Sequence, residues 1–312
     1  MHIFGKKTMK NMFAQEEGRC ESFFRQSGPY WHVYTAENYP VFFAGDEDFR
    51  AGMTLIAICA VSFPSIRILA FQWMNNHLHI VLSGREEDIA LFFNMLKRYL
   101  ANYLKSRDRA GILDAWDYGA RRIESLQDIR NAIAYVNRNG FLVRKEYSPY
   151  NYPWGANKCL FNSDYVERYL SSKQTLATLS IRDMFHTRDL DGFKGLRMLD
   201  GCVCPLVYCD SALAEGMFRD ASHYFHSVSK NAGGMKEIAK EIGESVYYND
   251  DELFTIVCAI CHDQHGVRKP ALLPASAKVE VARTMRFEYN AGHKQISRIL
   301  KLDPALLDSI LG

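Results

Sequence analysis

SIRILAFQWMNNHLHIVLSG, residues 65–84, is the stretch whose reading decides the fold. Two runs rich in β-branched and aromatic residues flank Asn75 and Asn76, which predicts two strands closed by a short turn, a β-hairpin. Strand side chains alternate, so His77 and His79 project from one face, roughly 7 Å apart along the strand. Leu78 and Ile80 point the other way, into a core. Two imidazoles side by side on an open sheet face can share one divalent metal. An arbitrary H-x-H is more often a pair of half-exposed histidines that binds nothing, so its neighbours decide.

Outward from the hairpin, PYWHVYTAEN (29–38) reads as a first strand. DEDFRAGMTLIAICAVSF (46–63) opens with acids, as a first helical turn prefers, and runs apolar at helical spacing until Pro64. REEDIALFFNMLKRYLANYLKSRDRAG (85–111) predicts a long helix stopped at Gly111, and ILDAWDYGARRIES (112–125) a fourth strand. SLQDIRNAIAYVNRNG (125–140) predicts an amphipathic helix with Ser125 as N-cap and Gly140 as stop. The order fits an α+β fold: a ferredoxin-like antiparallel sheet with helices on one face, followed by an α-helical C-terminal extension. The expected divisions are a loose N-terminal arm (1–27), a sheet domain (28–156), a helical middle region (157–270) and a three-helix, helix-turn-helix-like unit (271–312).

With 312 residues, 48% hydrophobic and 13% aromatic, the chain affords a sizeable core. No apolar stretch reaches the ~18 residues of a membrane span, and the start lacks a secretory signal pattern. The expectation is a cytoplasmic protein, free of membrane, with eight reduced cysteines. A net charge of +2 gives no global basic field. Locally, however, Lys97, Arg98, Lys105, Arg107 and Arg109 crowd residues 97–109, and Arg121, Arg122, Arg130, Arg138, Arg144 and Lys145 follow. Such runs usually mark a solvated helix face; their place relative to the histidines is what gives them interest.

The second constellation is AYVNRNG, residues 134–140. Positions four apart share a helix face, so Tyr135 and Asn139 present together. An amide oxygen is a hard ligand for Mg²⁺ or Mn²⁺, and a phenol is a potential nucleophile.

MNNHLHIVL and YVNRNGFLVRKEYSPYNYPWGA, with YWHVYTAENYPVFFAGDEDF before them, resemble the single-tyrosine HUH transposases, in particular the insertion-sequence and REP-associated types. That family has a strand reading M-P-N-H-hydrophobic-H-hydrophobic, a helix reading Y-I-x-x-N-P-V-R-x-G-L, and then Y-x-W-S-S. The resemblance covers about residues 28–156. Here Asn75 stands for the proline before Asn-His, Gly140 for the proline after the helix asparagine, and Gly155–Ala156 for the paired serines.

The resemblance implies that His77 and His79 bind the metal, that Asn139 is the third ligand and that Tyr135 is the nucleophile. His32 falls where the family often has histidine, without a clear role. The implied enzyme is a metal-dependent strand transferase that cleaves and rejoins single-stranded or hairpin DNA through a 5′-phosphotyrosine, using Mg²⁺ or Mn²⁺. Lys97, Arg98, Lys105, Arg107, Arg109, Arg121 and Arg122 would then neutralise DNA phosphates. Related enzymes work alone or as homodimers that share active sites.

Rival readings are a domesticated, non-catalytic nucleic-acid binder on the same fold, and an RNA platform. The platform is disfavoured because histidines stand where it wants aromatics. CAICHDQH (258–265) invites a zinc site, with Cys202, Cys204 and Cys209 as partners, but buried core cysteines are the favoured reading. The C-terminal helices either bind duplex DNA, through His293, Lys294, Gln295 and Arg298, or pack internally.

Overall fold

Strands β1 (Tyr30–Thr35), β2 (Arg67–Trp73), β3 (Leu78–Ser83) and β4 (Tyr118–Ile123) form one antiparallel sheet in the order β2-β3-β1-β4. A helix follows β1 and another follows β3, which makes the split βαβ arrangement of ferredoxin-like folds. The computed structural model describes residues 2–143, 147–176, 193, 196–230, 238–239, 242, 248 and 250–311. Arg144, Lys145 and the glycine connector at 232–234 lie outside the described residues. The chain divides into two compact units, Met1–Ser229 and Lys230–Gly312. No helix among the described residues is long and apolar enough to cross a membrane.

In the first unit, the segment expected as a loose arm is helix α1 (His2–Gln26). The helix α2 (Asp46–Ser62) starts on three acids and ends before Pro64, and α3 (Glu86–Lys105) likewise begins with Glu86, Glu87 and Asp88. Negative charge suits a helix N-terminus, where unpaired backbone N–H groups gather. The helix α4 (Leu126–Val143) is capped as its sequence predicts, Ser125 Oγ accepting from the Asp128 N–H at 3.1 Å.

Strand alternation sorts the sheet into two faces. Trp31, Val33, Phe71, Trp73, Leu78, Ile80 and Leu82 share one core with Phe49 and Ile56 of α2 and Phe92, Phe93 and Leu96 of α3. Trp116 locks that layer, its ring 4.8 Å from Phe93 and 6.5 Å from Trp73. The opposite face carries Tyr30, His32, Tyr34, His79, Val81 and Gln72, matched across the strands by register. The α+β class and antiparallel sheet are as expected, and α2 and α3 share a face. The addition is α4, which lies over the histidine face, so that face is covered and not open.

The hairpin turn is closed by its own backbone and fastened from outside. Met74 N–H donates to the His77 carbonyl at 2.9 Å, and the Asn75 carbonyl accepts from Phe42 and Phe43. The free edge of β2 is closed by residues 154–156: Trp73 N–H donates to the Trp154 carbonyl at 2.9 Å, and Ala156 N–H to the Phe71 carbonyl at 3.0 Å. Gly155 sits between them, where an added Cβ would meet the Phe71 carbonyl oxygen at 2.5 Å. Gly140 is equally confined, because a Cβ there would enter the Tyr152 ring at 2.4 Å. These contacts account for the glycines at 140 and 155.

The second unit packs α5 (Asp250–His265), α6 (Ala275–Phe287), α7 (His293–Leu300) and α8 (Pro304–Leu311) around Leu253, Val257, Cys261, Val281, Met285, Ile296, Leu300 and Leu307.

Gly155→Ala is expected to destabilise the first unit by about 1–3 kcal/mol, since backbone has to move to admit the methyl group. Chemical denaturation measures it, and an unchanged midpoint would refute the close approach.

Candidate active site

Four rings gather on the face beneath α4. His77 precedes β3 and His79 lies within it, their rings 5.2 Å apart. His32 on β1 reaches across, its Nε2 3.2 Å from Nδ1 of His79. Tyr135, on α4, lays its ring edge-on to both, with centroids 5.8 Å from His32 and 5.6 Å from His79. The phenol is therefore on the same side as the imidazoles. His32 and His79 are fully buried, and His77 and Tyr135 are 8% and 6% exposed.

Burial favours the neutral form of an imidazole. It brings His32 down to about 3, helped by the neighbouring Arg121 charge, and His77 down to about 4. His79 is likewise lowered, first by burial and then by the other two histidines. All three rings are thus held toward the neutral form, not the cation.

The orientation of His77 is determined by its neighbour. Asn76 donates its Nδ2 to the carbonyls of Glu37 and Tyr39 at 2.6 and 3.0 Å, which turns its Oδ1 toward His77 Nδ1 at 2.7 Å. An amide oxygen only accepts, so His77 carries its proton on Nδ1 and keeps a lone pair on Nε2. A ring nitrogen freed in this way, with the other held by a hydrogen bond, is the usual arrangement of a metal-ligating histidine. The donor set fits a weakly held divalent cation on that ground. Among the described residues, no three His, Cys, Asp or Glu side chains gather as a metal site. Any cation here would depend on the histidines, an amide and oxygens from a substrate.

Asn139 is half-buried, one turn beyond Tyr135. Its turn of helix is held by Gln72, a residue that motif reading passed over. Gln72 Nε2 donates to the Asn137 carbonyl at 2.8 Å, and Gln72 Oε1 accepts from the Gly140 N–H at 2.7 Å. Gln72 is the register partner of His79, so this amide ties the Asn139 turn to the level of that histidine. The signal was present in the sequence: a single amide in the otherwise apolar ILAFQWM. Tyr34, also paired with His79 and 5.5 Å from the His32 ring, is a second tyrosine on this face that sequence reading did not single out.

The basic residues are arranged otherwise than the DNA-contact expectation needs. Lys97, Arg98 and Lys105 belong to α3, on the far face of the sheet from the histidines. Arg107 is paired with Glu47. Arg109 makes a bidentate pair with Asp48, at 2.6 and 2.9 Å, and also donates to the Phe42 carbonyl. Burial works against the charged Asp48, but Arg109, the Ala44 N–H and Tyr103 hold its carboxyl below the ordinary range. Arg122 lies over Trp31, again on the α3 side. Only Arg121 shares the histidine face, and its guanidinium grips Asp128 at 2.8 and 3.0 Å. Counting charges in sequence cannot tell a solvated cation from one already matched by the acids that open α2 and α4.

Three of the C-terminal candidates are engaged internally. His293 meets Asp308 at 2.7 Å, Gln295 donates to the Tyr248 carbonyl and Asp250, and Arg298 pairs with Asp250. Cys261 belongs to the second unit's core, and Cys159 and Cys204 pack around Tyr165.

Fold and cluster together define a class of site, a histidine pair on an antiparallel sheet facing a tyrosine carried by a helix. No protein-family model and no curated protein matches the chain. Among solved structures it is similar to a REP-associated tyrosine transposase bound to a REP hairpin, at 12% identity over 42% of this chain and 77% of the other, with a TM-score of 0.31. A likeness that slight carries no argument about this chain.

Two substitutions check this anatomy. Gln72→Leu strands a buried carbonyl and a buried N–H at the Asn139 turn, and is expected to cost about 1–3 kcal/mol in chemical denaturation. Arg109→Gln leaves Asp48 without its counter-charge, at an expected cost of about 1–3 kcal/mol. A stability matching the unsubstituted protein, with weaker DNA binding, would return Arg109 to the DNA-contact set.

Proposed function

We propose that the first unit is a single-tyrosine DNA strand transferase, which cuts and rejoins single-stranded or hairpin DNA through a 5′-phosphotyrosine. One observation carries the reading: the Tyr135 ring packs against His79 and His32 on the face that His77 shares. A plain core tyrosine needs apolar neighbours, and two neutral imidazoles are a costly substitute for them.

His77, His79 and Asn139 would hold the cation in this reading. Bound there, Mg²⁺ or Mn²⁺ supplies charge neutralisation at the non-bridging oxygens of the scissile phosphate. Tyr135 supplies the nucleophile. Its phenol gives its proton up to solvent as the phenol oxygen bonds to phosphorus. The bond from phosphorus to the 3′ oxygen breaks, and that oxygen takes up a proton to leave as a free 3′-OH. The phosphodiester energy stays in the tyrosyl ester, so rejoining to another 3′-OH needs no nucleotide cofactor. Gln72 keeps the α4 turn in place during the exchange.

The burial of His79 and Tyr135 favours a second reading, a protein that grips nucleic acid on this fold without cutting it. The two are separated by incubating the protein with labelled single-stranded and hairpin oligonucleotides in Mn²⁺, then denaturing. The strand transferase gives a covalent protein–DNA adduct that Tyr135→Phe abolishes while binding persists. Binding with no adduct, or adduct of equal yield from Tyr135→Phe, refutes it.

A further inference from the structure

His32 is the histidine that the strand-transferase reading leaves without a task. Its side chain is fully buried and its Nε2 faces Nδ1 of His79 at 3.2 Å. Its own Nδ1 is buried with no hydrogen-bond partner among the described residues. A buried polar atom left unsatisfied costs stability. An apolar ring of the same size would pack between Tyr34 and Tyr135 without that cost, so packing alone does not account for an imidazole at this position.

We propose that His32 is a positioning residue that holds the proton of His79 on Nδ1 and so presents His79 Nε2 to a hard divalent cation; this rests on the metal-dependent reading above. The geometry parallels that at His77. There, the Asn76 oxygen accepts from Nδ1 and frees Nε2. At His79 the acceptor is the Nε2 of a neutral His32, and the two ligands are thereby given the same tautomer. Arg121, opposite His32 in the register, is locked on Asp128. The β1–β3 pairing sets the distance, since His32 and His79 stand on adjacent strands one diagonal apart.

The test uses the full chain and Mn²⁺ alone. Loss of an outer hydrogen-bond partner of a metal-ligating histidine typically weakens metal affinity about 10–100-fold. His32→Phe is expected to do so while the protein stays folded by circular dichroism. His32→Gln, whose amide oxygen can accept from His79, is expected to recover part of the affinity, a rescue that a merely structural role does not give. Long-range ¹⁵N–¹H spectra of the metal-free protein supply a second readout and should find the His79 proton on Nδ1. A His79 proton on Nε2, or Mn²⁺ affinity unchanged in His32→Phe, overturns the assignment even where the wild type binds Mn²⁺. Absence of Mn²⁺ binding by the wild type overturns the metal-dependent reading and this inference with it.

Discussion

One amide holds the candidate site together. Gln72 rises from β2 into the last turns of α4, accepting a hydrogen bond from the Gly140 N–H and donating one to the Asn137 carbonyl. Without that bridge a helix could slide along the sheet under hydrophobic packing alone, which is non-directional. With it, Tyr135 is held at the level of His79 and His32, and Asn139 follows one turn later. Two glycines complete the constraint. Gly140 lets the Tyr152 ring close on the helix, and Gly155 lets a strand-like segment close on the Phe71–Trp73 edge. Tyr152 joins the two, its hydroxyl donating to the Trp73 carbonyl at 2.7 Å.

The clustering of three imidazoles under a helix follows from strand geometry, and their neutrality follows from the same burial. Three imidazolium ions so close would repel each other and lose their hydration, so the cluster exists only as neutral rings. Neutral rings are strict about partners, because each has one donor and one acceptor. Asn76 fulfils that requirement for His77, and His32 is the available partner for Nδ1 of His79. In the strand-transferase reading, the burial that weakens the histidines as bases is what suits them to be ligands.

The sheet and the order of its elements were legible because the signals are local. Alternation around His77 and His79, acids opening α2 and α3, Pro64 and the Ser125 cap all act within a few residues. The tyrosine–histidine contact was legible by family resemblance and by helix and strand periodicity together. Other features depend on partners distant in sequence. Glu17 of α1 reaches buried Arg130 at 2.6 Å, 113 residues away, so the polar N-terminal segment that looked loose has a docking contact that composition does not reveal. The fate of Arg109 depends on Asp48, 61 residues earlier. Gln72 stood in plain view within an apolar run, but what an amide does there is decided by where α4 lands.

The separation of charge from the histidine face limits how a nucleic acid would approach. Arg98, Lys105 and Arg122 are solvent-exposed cations, and α3 with the Trp31 side of β4 turns them away from the Tyr135 cluster. A strand tracking those cations would have to pass around the edge strand β4 to bring a phosphate to the phenol. Phosphate contacts position a substrate and their strength falls with salt, whereas the reacting phosphate is selected by fit at the site. In the strand-transferase reading, then, the basic surface serves capture at a distance from the chemistry. The unpaired residues next to the cut must come to α4, where Tyr34 stands beside His32 and, across from Gly119, has room for its ring. A duplex is too stiff to turn such a corner over a few nucleotides, and a single strand is not. Within that reading, the topology favours an unpaired substrate at the tyrosine.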